Sequence, residues 1–161
     1  MIFDCFKKKK KGTIPPKTTD LIIIPEVKSD WSDFEMDVAE LIMYERQWEA
    51  GLNELFLDPY LCTIAQIHSK YMVKQMKPSH DNFPDRVIQA QQYADAKWFG
   101  EIVAFGYSSA RGVVRGWMSS EGHKKIILKE QATHYGISIE HGIKNGELRN
   151  YFTVVFSERK Q

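Results

Sequence analysis

From Trp31 onward, apolar residues recur at helical spacing. Phe34, Val38, Leu41, Ile42, Glu45 and Trp48 fall on one stripe, which Ser32 or Asp33 can cap and Gly51 can end near Ala50. Asp58-Pro59 opens a second helix, with the Asp as cap and Pro in the first turn. It runs to about Met76 with Leu61, Ile64, Ala65, His68, Met72 and Met76 on one stripe, and Pro78 stops it. A short helix is predicted from Pro84 to Tyr93, and a short strand or extended loop from Gly100 to Gly106. Ser108 or Ser109 caps a helix through Trp117 to about Ser119, and Lys124 to Leu128 forms another short one. The pattern then changes to alternation. His134–His141 and Asn150–Glu158 read as a β-hairpin joined by a loop containing Asn145-Gly146. Tyr135, Ile137 and Ile139 alternate with Gly136, Ser138 and Glu140, giving the first strand one buried face. Phe152, Val154 and Phe156 alternate with Thr153 and Val155, so the second strand is apolar on both faces and central. Helices first and antiparallel strands last predict an α+β domain, helices packed on a small sheet.

Composition adds an arm to this picture. The chain has 161 residues, enough for one domain and an extension, and a net charge of +1 gives no general drive toward nucleic acid. The charge is unevenly placed: residues 1–30 carry seven Lys against four acids. Lys7, Lys8, Lys9, Lys10 and Lys11 repel one another, and Gly12 and Pro15-Pro16 interrupt regular structure. Within this stretch Leu21, Ile22, Ile23 and Ile24, continuing to Val27, can add a strand to a sheet edge or dock on a partner; Pro25 suits an edge. The division is therefore a basic arm, 1–30, and a domain, 31–161. The arm has three readings: a solvated tail, contact with anionic lipid or nucleic-acid phosphate through Lys7–Lys11, or docking on a protein in an assembly. Two cysteines, Cys5 and Cys62, give no disulfide framework. Met1–Phe6 precedes the lysines, the reverse of a secretory signal, and Leu21–Ile24 falls far short of the ~20 residues of a membrane span. The expected location is cytoplasmic, or within a viral particle, without classical secretion.

Candidate chemistry concentrates between Gly100 and Leu128. Glu101 follows a glycine, His123 follows another at a helix junction, and His80 lies upstream in Pro-Ser-His. Two imidazoles and a carboxylate in one cleft could hold a divalent metal such as zinc, transfer protons, or hydrogen-bond one another to fix loops. His123 opens a short helix, whose positive end favours the neutral imidazole that binds metal. His80 and His123 are thus metal candidates, and Glu101 can supply a third ligand. No nucleophile stands out: Cys62 lies among apolar neighbours as an inert buried thiol, and Ser79 and Ser120 only adjoin histidines in sequence. His68 reads as a core histidine, His134 and His141 as surface residues, and Trp48, Trp98 and Trp117 as core.

The words Gly100-Glu101, Gly116-Trp-Met-Ser-Ser-Glu-Gly-His-Lys-Lys-Ile-Ile-Leu128 and Tyr151-Phe-Thr-Val-Val-Phe156, in this order, resemble the CAP superfamily. That superfamily is named for cysteine-rich secretory, antigen 5 and pathogenesis-related 1 proteins, and the likeness is to its bacterial branch, over roughly Phe34 to Ser157. The resemblance implies an α-β-α sandwich with a cleft that in animal and plant members holds two His and two acids. His80 matches the first histidine and Glu101 the first acid. The second acid falls where this chain has Ser119-Ser120, with Glu121 adjacent; the second histidine falls on Tyr151, and His123 matches the bacterial Gly-His word. Ile102 replaces the usual Asn and Val154 the usual Gln. The implied ligand cleft comprises His80, Glu101, Ser120, Glu121, His123 and Tyr151. The leading function is a non-catalytic binding or scaffold module placed by its arm in a larger assembly, such as a viral or phage particle. A metal-assisted hydrolase using His80, Glu101 and His123 is the second, and a lipid or sterol carrier, as some relatives are, the third.

Overall fold

The computed structural model describes residues 26–159. The expectations for Lys7–Lys11 and for Leu21–Ile24 lie outside the described residues. Glu26 and Val27 are not in a strand.

Ser32 caps α1 (Asp33–Tyr44) through a capping box: its hydroxyl accepts from Glu35 N–H, and the Glu35 carboxylate accepts from Ser32 N–H at 2.9 Å. A π-helical turn, Glu45–Glu49, extends it and ends at Gly51 with φ +67°. The wider turn changes the helical phase, so Arg46 is buried while Trp48 is 77% exposed, against the expectation of a core tryptophan. After β1 (Phe56–Leu57), Asp58 caps α2 (Pro59–Gln75) by accepting from Tyr60 and Leu61 N–H. Then follow α3 (Phe83–Tyr93), β2 (Ala96–Phe105), α4 (Ala110–Met118) capped by Ser109, α5 (Glu121–Ile127), β3 (His134–Lys144) and β4 (Glu147–Arg159). Asn145 and Gly146, both at positive φ, make the two-residue hairpin turn.

The sheet order is β1-β3-β4-β2, with β1 parallel to β3 and the other pairs antiparallel. β4 is central, as its two apolar faces predicted. Helices cover both sides. On one face Val38 and Ile42 of α1, Val113 and Trp117 of α4 and Ile127 of α5 pack on Ile102, Ile137, Phe152, Val154 and Phe156. On the other, Leu61, Ile64 and Ala65 of α2 and Ala90 of α3 pack on Phe99 and Val155. This is an α-β-α sandwich of the α+β class.

β3 departs from expectation. Gly136 and Ser138 are buried too, because α2 lies directly on them. A Cβ on Gly136 would collide with the backbone of Leu61 and Cys62, so only glycine lets the helix approach so closely. Ser69 of α2 donates to the Ser138 carbonyl (3.1 Å) and to Thr153 Oγ1 (2.8 Å).

The chain is already tied to the domain at Lys28. Its Nζ lies 2.5 Å from Glu35 Oε1 with both side chains buried, and its N–H donates to Thr63 Oγ1. The same Glu35 oxygen accepts from Ile139 N–H, satisfying β3 beyond the short β1.

Candidate functional site

β2 is an edge strand, and its open edge lies between the two helical layers. Alternation along it sends Glu101 toward α2 and α3, and sends Trp98 and Gly100 toward α5. Between them lies a cleft of about 560 Å³ lined by His80, Phe83, Trp98, Phe99, Gly100, Glu101, Lys125, Ile126 and Lys129. The Gly-Glu word has a physical cause here: a Cβ on Gly100 would sit 2.6 Å from the Trp98 indole, so the glycine is the bed on which that ring lies. Lys129 Nζ stands over the indole, 5.5 Å from the ring centroid.

Glu101 is the node of the site. Arg86 of α3 grips it bidentately, Nε to Oε2 at 2.5 Å and Nη2 to Oε1 at 2.7 Å, and His80 Nδ1 donates to Oε1 at 2.8 Å. Burial would push the Glu101 carboxyl up, but the hydrogen bonds from His80 and Arg86, with the charges of Arg86 and His68, hold it below the usual carboxylate range. It is therefore ionised. An ionised carboxylate only accepts, so His80 carries a proton on Nδ1, and its side chain is 50% exposed.

The loop carrying His80 is clamped from beneath. His68, buried on α2, donates from Nε2 to the Ser79 carbonyl at 2.7 Å and lies 3.8 Å from Glu101 Oε1. Ser79 N–H points at Met72 Sδ, and Arg86 Nη1 donates to the Asp81 carbonyl. Burial lowers the His68 pKa, outweighing the attraction of Glu101. The sequence placed His68 in the core correctly. Its partners 11 and 33 positions downstream were invisible to a local pattern, as was the role of Arg86.

His123, on α5, has a lowered pKa, first from burial and then from the charge of nearby His80. The neutral form expected from the helix end is thus favoured for a different reason. Its Nδ1 is buried without a hydrogen-bond partner. Ser120 is half-buried and Glu121 exposed at the α4–α5 junction. Tyr151 is buried against Phe105, ring centroids 4.9 Å apart, on the same sheet face as Glu101. Glu101 pairs with Val155 and Phe105 with Tyr151, an offset of four residues or roughly 13 Å along the strand. Tyr151 therefore lies outside this cleft. His80 and Glu101 are in contact and His123 is nearby; Ser120, Glu121 and Tyr151 do not join them.

A zinc ion needs three or four well-placed donors. Among the described residues no three His, Cys, Asp or Glu side chains converge to hold a metal. Both Glu101 oxygens already accept from charged or imidazole donors, and the guanidinium beside them repels a cation. The donor set does not fit zinc. Glu101 is also a poor general base, because three hydrogen bonds from cationic or imidazole donors hold its pKa down.

The fold and this cleft define a class, and sequence comparison agrees. The chain belongs to the CAP, or cysteine-rich secretory protein, family, whose profile matches residues 42–156. It is 30% identical over 114 residues to the membrane protein YlbC of Bacillus subtilis, covering 68% of this chain and 30% of that one. To YkwD of the same organism it is 33% identical over 112 residues, 68% of this chain and 43% of that one. The chain thus spans less than half the length of these relatives. An extracellular SCP-domain protein of Bacillus anthracis superposes with a TM-score of 0.60 at 25% identity, over 83% of this chain and 45% of that one. An outer surface protein of Borrelia burgdorferi gives 0.65 at 21%, over 83% and 100%. These relatives correct the expected location. Proteins named as extracellular and as a membrane protein point away from the cytoplasm and from a viral particle.

Proposed function

We propose that this CAP domain is a non-catalytic binding module whose cleft along β2 takes a small amphiphile carrying an acidic group. The observation that carries this reading is the engagement of Glu101: a carboxylate held by Arg86 and His80 is a structural anchor. What the cleft offers a ligand is an apolar trough of Phe83, Trp98, Phe99 and Ile126 with Lys125 and Lys129 on its wall. His80 adds one polar ring. Convergent apolar surface with a few placed polar groups is the usual form of a small-molecule site. The lipid-carrier reading is a version of this one, with the lysines favouring an acidic lipid over a neutral sterol. The metal-assisted hydrolase reading gains no support from an acid whose two oxygens are engaged by Arg86 and His80 and whose pKa is held down.

The test compares a long-chain fatty acid with the matching alcohol by titration calorimetry. The acid should bind at least about tenfold more tightly, and Lys125→Ala/Lys129→Ala should remove that preference. Equal binding of acid and alcohol would sink the acidic group, and binding of neither would sink the cleft. Docking of the arm, residues 1–30, on a protein partner is a separate proposal. Deleting residues 1–25 leaves the Lys28–Glu35 tie intact; if the truncated protein still enters its native complex, the arm is not the anchor.

A further inference from the structure

The tip of the β3–β4 hairpin inverts the usual distribution of polar and apolar residues. Beyond the level of Phe105, where β2 stops pairing, the two strands continue alone as a ribbon to the Asn145-Gly146 turn. On this ribbon Ile143 pairs directly with Leu148, and the two are 71% and 68% exposed. They continue the sheet face that carries Ile139 and Phe152, but no helix among the described residues covers them. The charged residues are turned inward: Lys144 and Arg149 are half-buried, and Lys144 Nζ lies 5.1 Å over the Phe105 ring. A free ribbon in water would place these residues the other way round.

The surroundings supply the second observation. Val73 in the last turn of α2 lies against Gly142, so the exposed Lys74, Met76 and Lys77 belong to the same end of the molecule. This end therefore presents three exposed apolar side chains with Lys74, Lys77, Lys144 and Arg149, against Glu140 and Glu147, the latter paired with Arg149. An apolar pair on one face of the tip, with long cationic side chains on its other face and on the adjoining end of α2, matches a membrane interface. The apolar group enters at the headgroup boundary, while Lys and Arg reach back to the phosphates.

We propose that the hairpin tip is a docking surface for a lipid bilayer carrying anionic headgroups, with Ile143 and Leu148 entering the interface. It is separate from the cleft, which opens along β2 near Trp98. The measurement uses the full chain and sedimentation with phosphatidylcholine vesicles containing about 30% phosphatidylserine. Ile143→Ser/Leu148→Ser should weaken partitioning roughly tenfold, and Lys144→Gln/Arg149→Gln should weaken it and flatten its salt dependence. A Leu148→Trp variant should show a blue-shifted emission on adding vesicles. A variant with Lys7–Lys11 changed to Gln reports the contribution of the arm. If the serine variant sediments like the parent, or Leu148→Trp shows no shift, the proposal is wrong. Ile143→Ser/Leu148→Ser abolishing self-association while the parent ignores vesicles would also overturn it, making the tip an interface between copies.

Discussion

The two faces of the sheet are built on opposite principles. Toward α1, α4 and α5 the core is hydrocarbon and aromatic: Phe152 meets Phe34 and Trp117 edge-on, and the Trp117 indole N–H donates to the Val103 carbonyl. Toward α2 and α3 the core is threaded with polar groups, from Ser69, Ser138 and Thr153 to His68, Arg86 and Glu101. The first face keeps its charges at its margins, in the buried Lys28–Glu35 pair and at His123 on α5, and burial pushes the pKa of Tyr135 within it up to about 12. The second depends on every partner being present and correctly charged. The cleft opens where the two layers meet, and the groups that shape its acid side all belong to the second.

The largest expected effect lies on the hydrocarbon face. Phe152→Ala should reduce stability by about 3–5 kcal/mol in urea unfolding, through lost burial and a cavity between three aromatic neighbours. On the other face, Arg86→Ala should cost about 3 kcal/mol, because it leaves the buried Glu101 without its ion partner. Arg86→Met/Glu101→Leu should recover most of that loss. A harmless Arg86→Ala would dissolve the contrast between the two faces.

Acid should separate the faces next. Burial lowers the His68 pKa, so the unfolded chain takes up protons first as pH falls through about 6.5. Stability from this group is full above that value and declines as pH drops toward the folded pKa. Glu101, also lowered, acts with the same sign at lower pH. Urea midpoints should therefore fall between about pH 7 and 5, and His68→Gln, which keeps an N–H for the Ser79 carbonyl, should flatten the upper part of that decline. The smallest effect is His80→Ala. Its side chain is half in water and Glu101 keeps Arg86, so the change should stay under about 1 kcal/mol while weakening ligand binding in the cleft.

Local chemistry made much of this fold legible. Ser32, Asp58 and Ser109 announce helix starts, Asn145-Gly146 announces the hairpin, and alternation on β4 announces a central strand. The Gly-Glu and Gly-His words pointed to the cleft and to the family. What escaped the sequence depends on contacts between distant segments. Trp48 sits on an apolar stripe only if the helix keeps its phase, and the π-helical turn breaks that phase. Gly136 and Ser138 look solvent-facing until α2 lies on them. Arg86 looks like one more surface charge of a short helix until β2 brings Glu101 beneath it. Tyr151 was aligned with a cleft position by its place in the chain, yet four residues of strand separate it from Glu101.

Arg46 gives these differences a mechanical meaning. Buried after the π-helical turn, it donates to the carbonyls of Ile127 (2.6 Å) and Lys129 (3.0 Å) at the end of α5, and to that of Asn53. A guanidinium keeps its proton at any pH a protein meets, so this latch on the α5 wall of the cleft is indifferent to acid. The opposite wall, the loop of His80, rests on the titrating His68. On acidification the loop of His80 should slacken, while α5, which carries the titrating His123, keeps its Arg46 latch. Protection factors at Ser79–Asp81, corrected for the intrinsic slowing of exchange in acid, should then fall as the pH is lowered while those at Lys124–Leu128 hold.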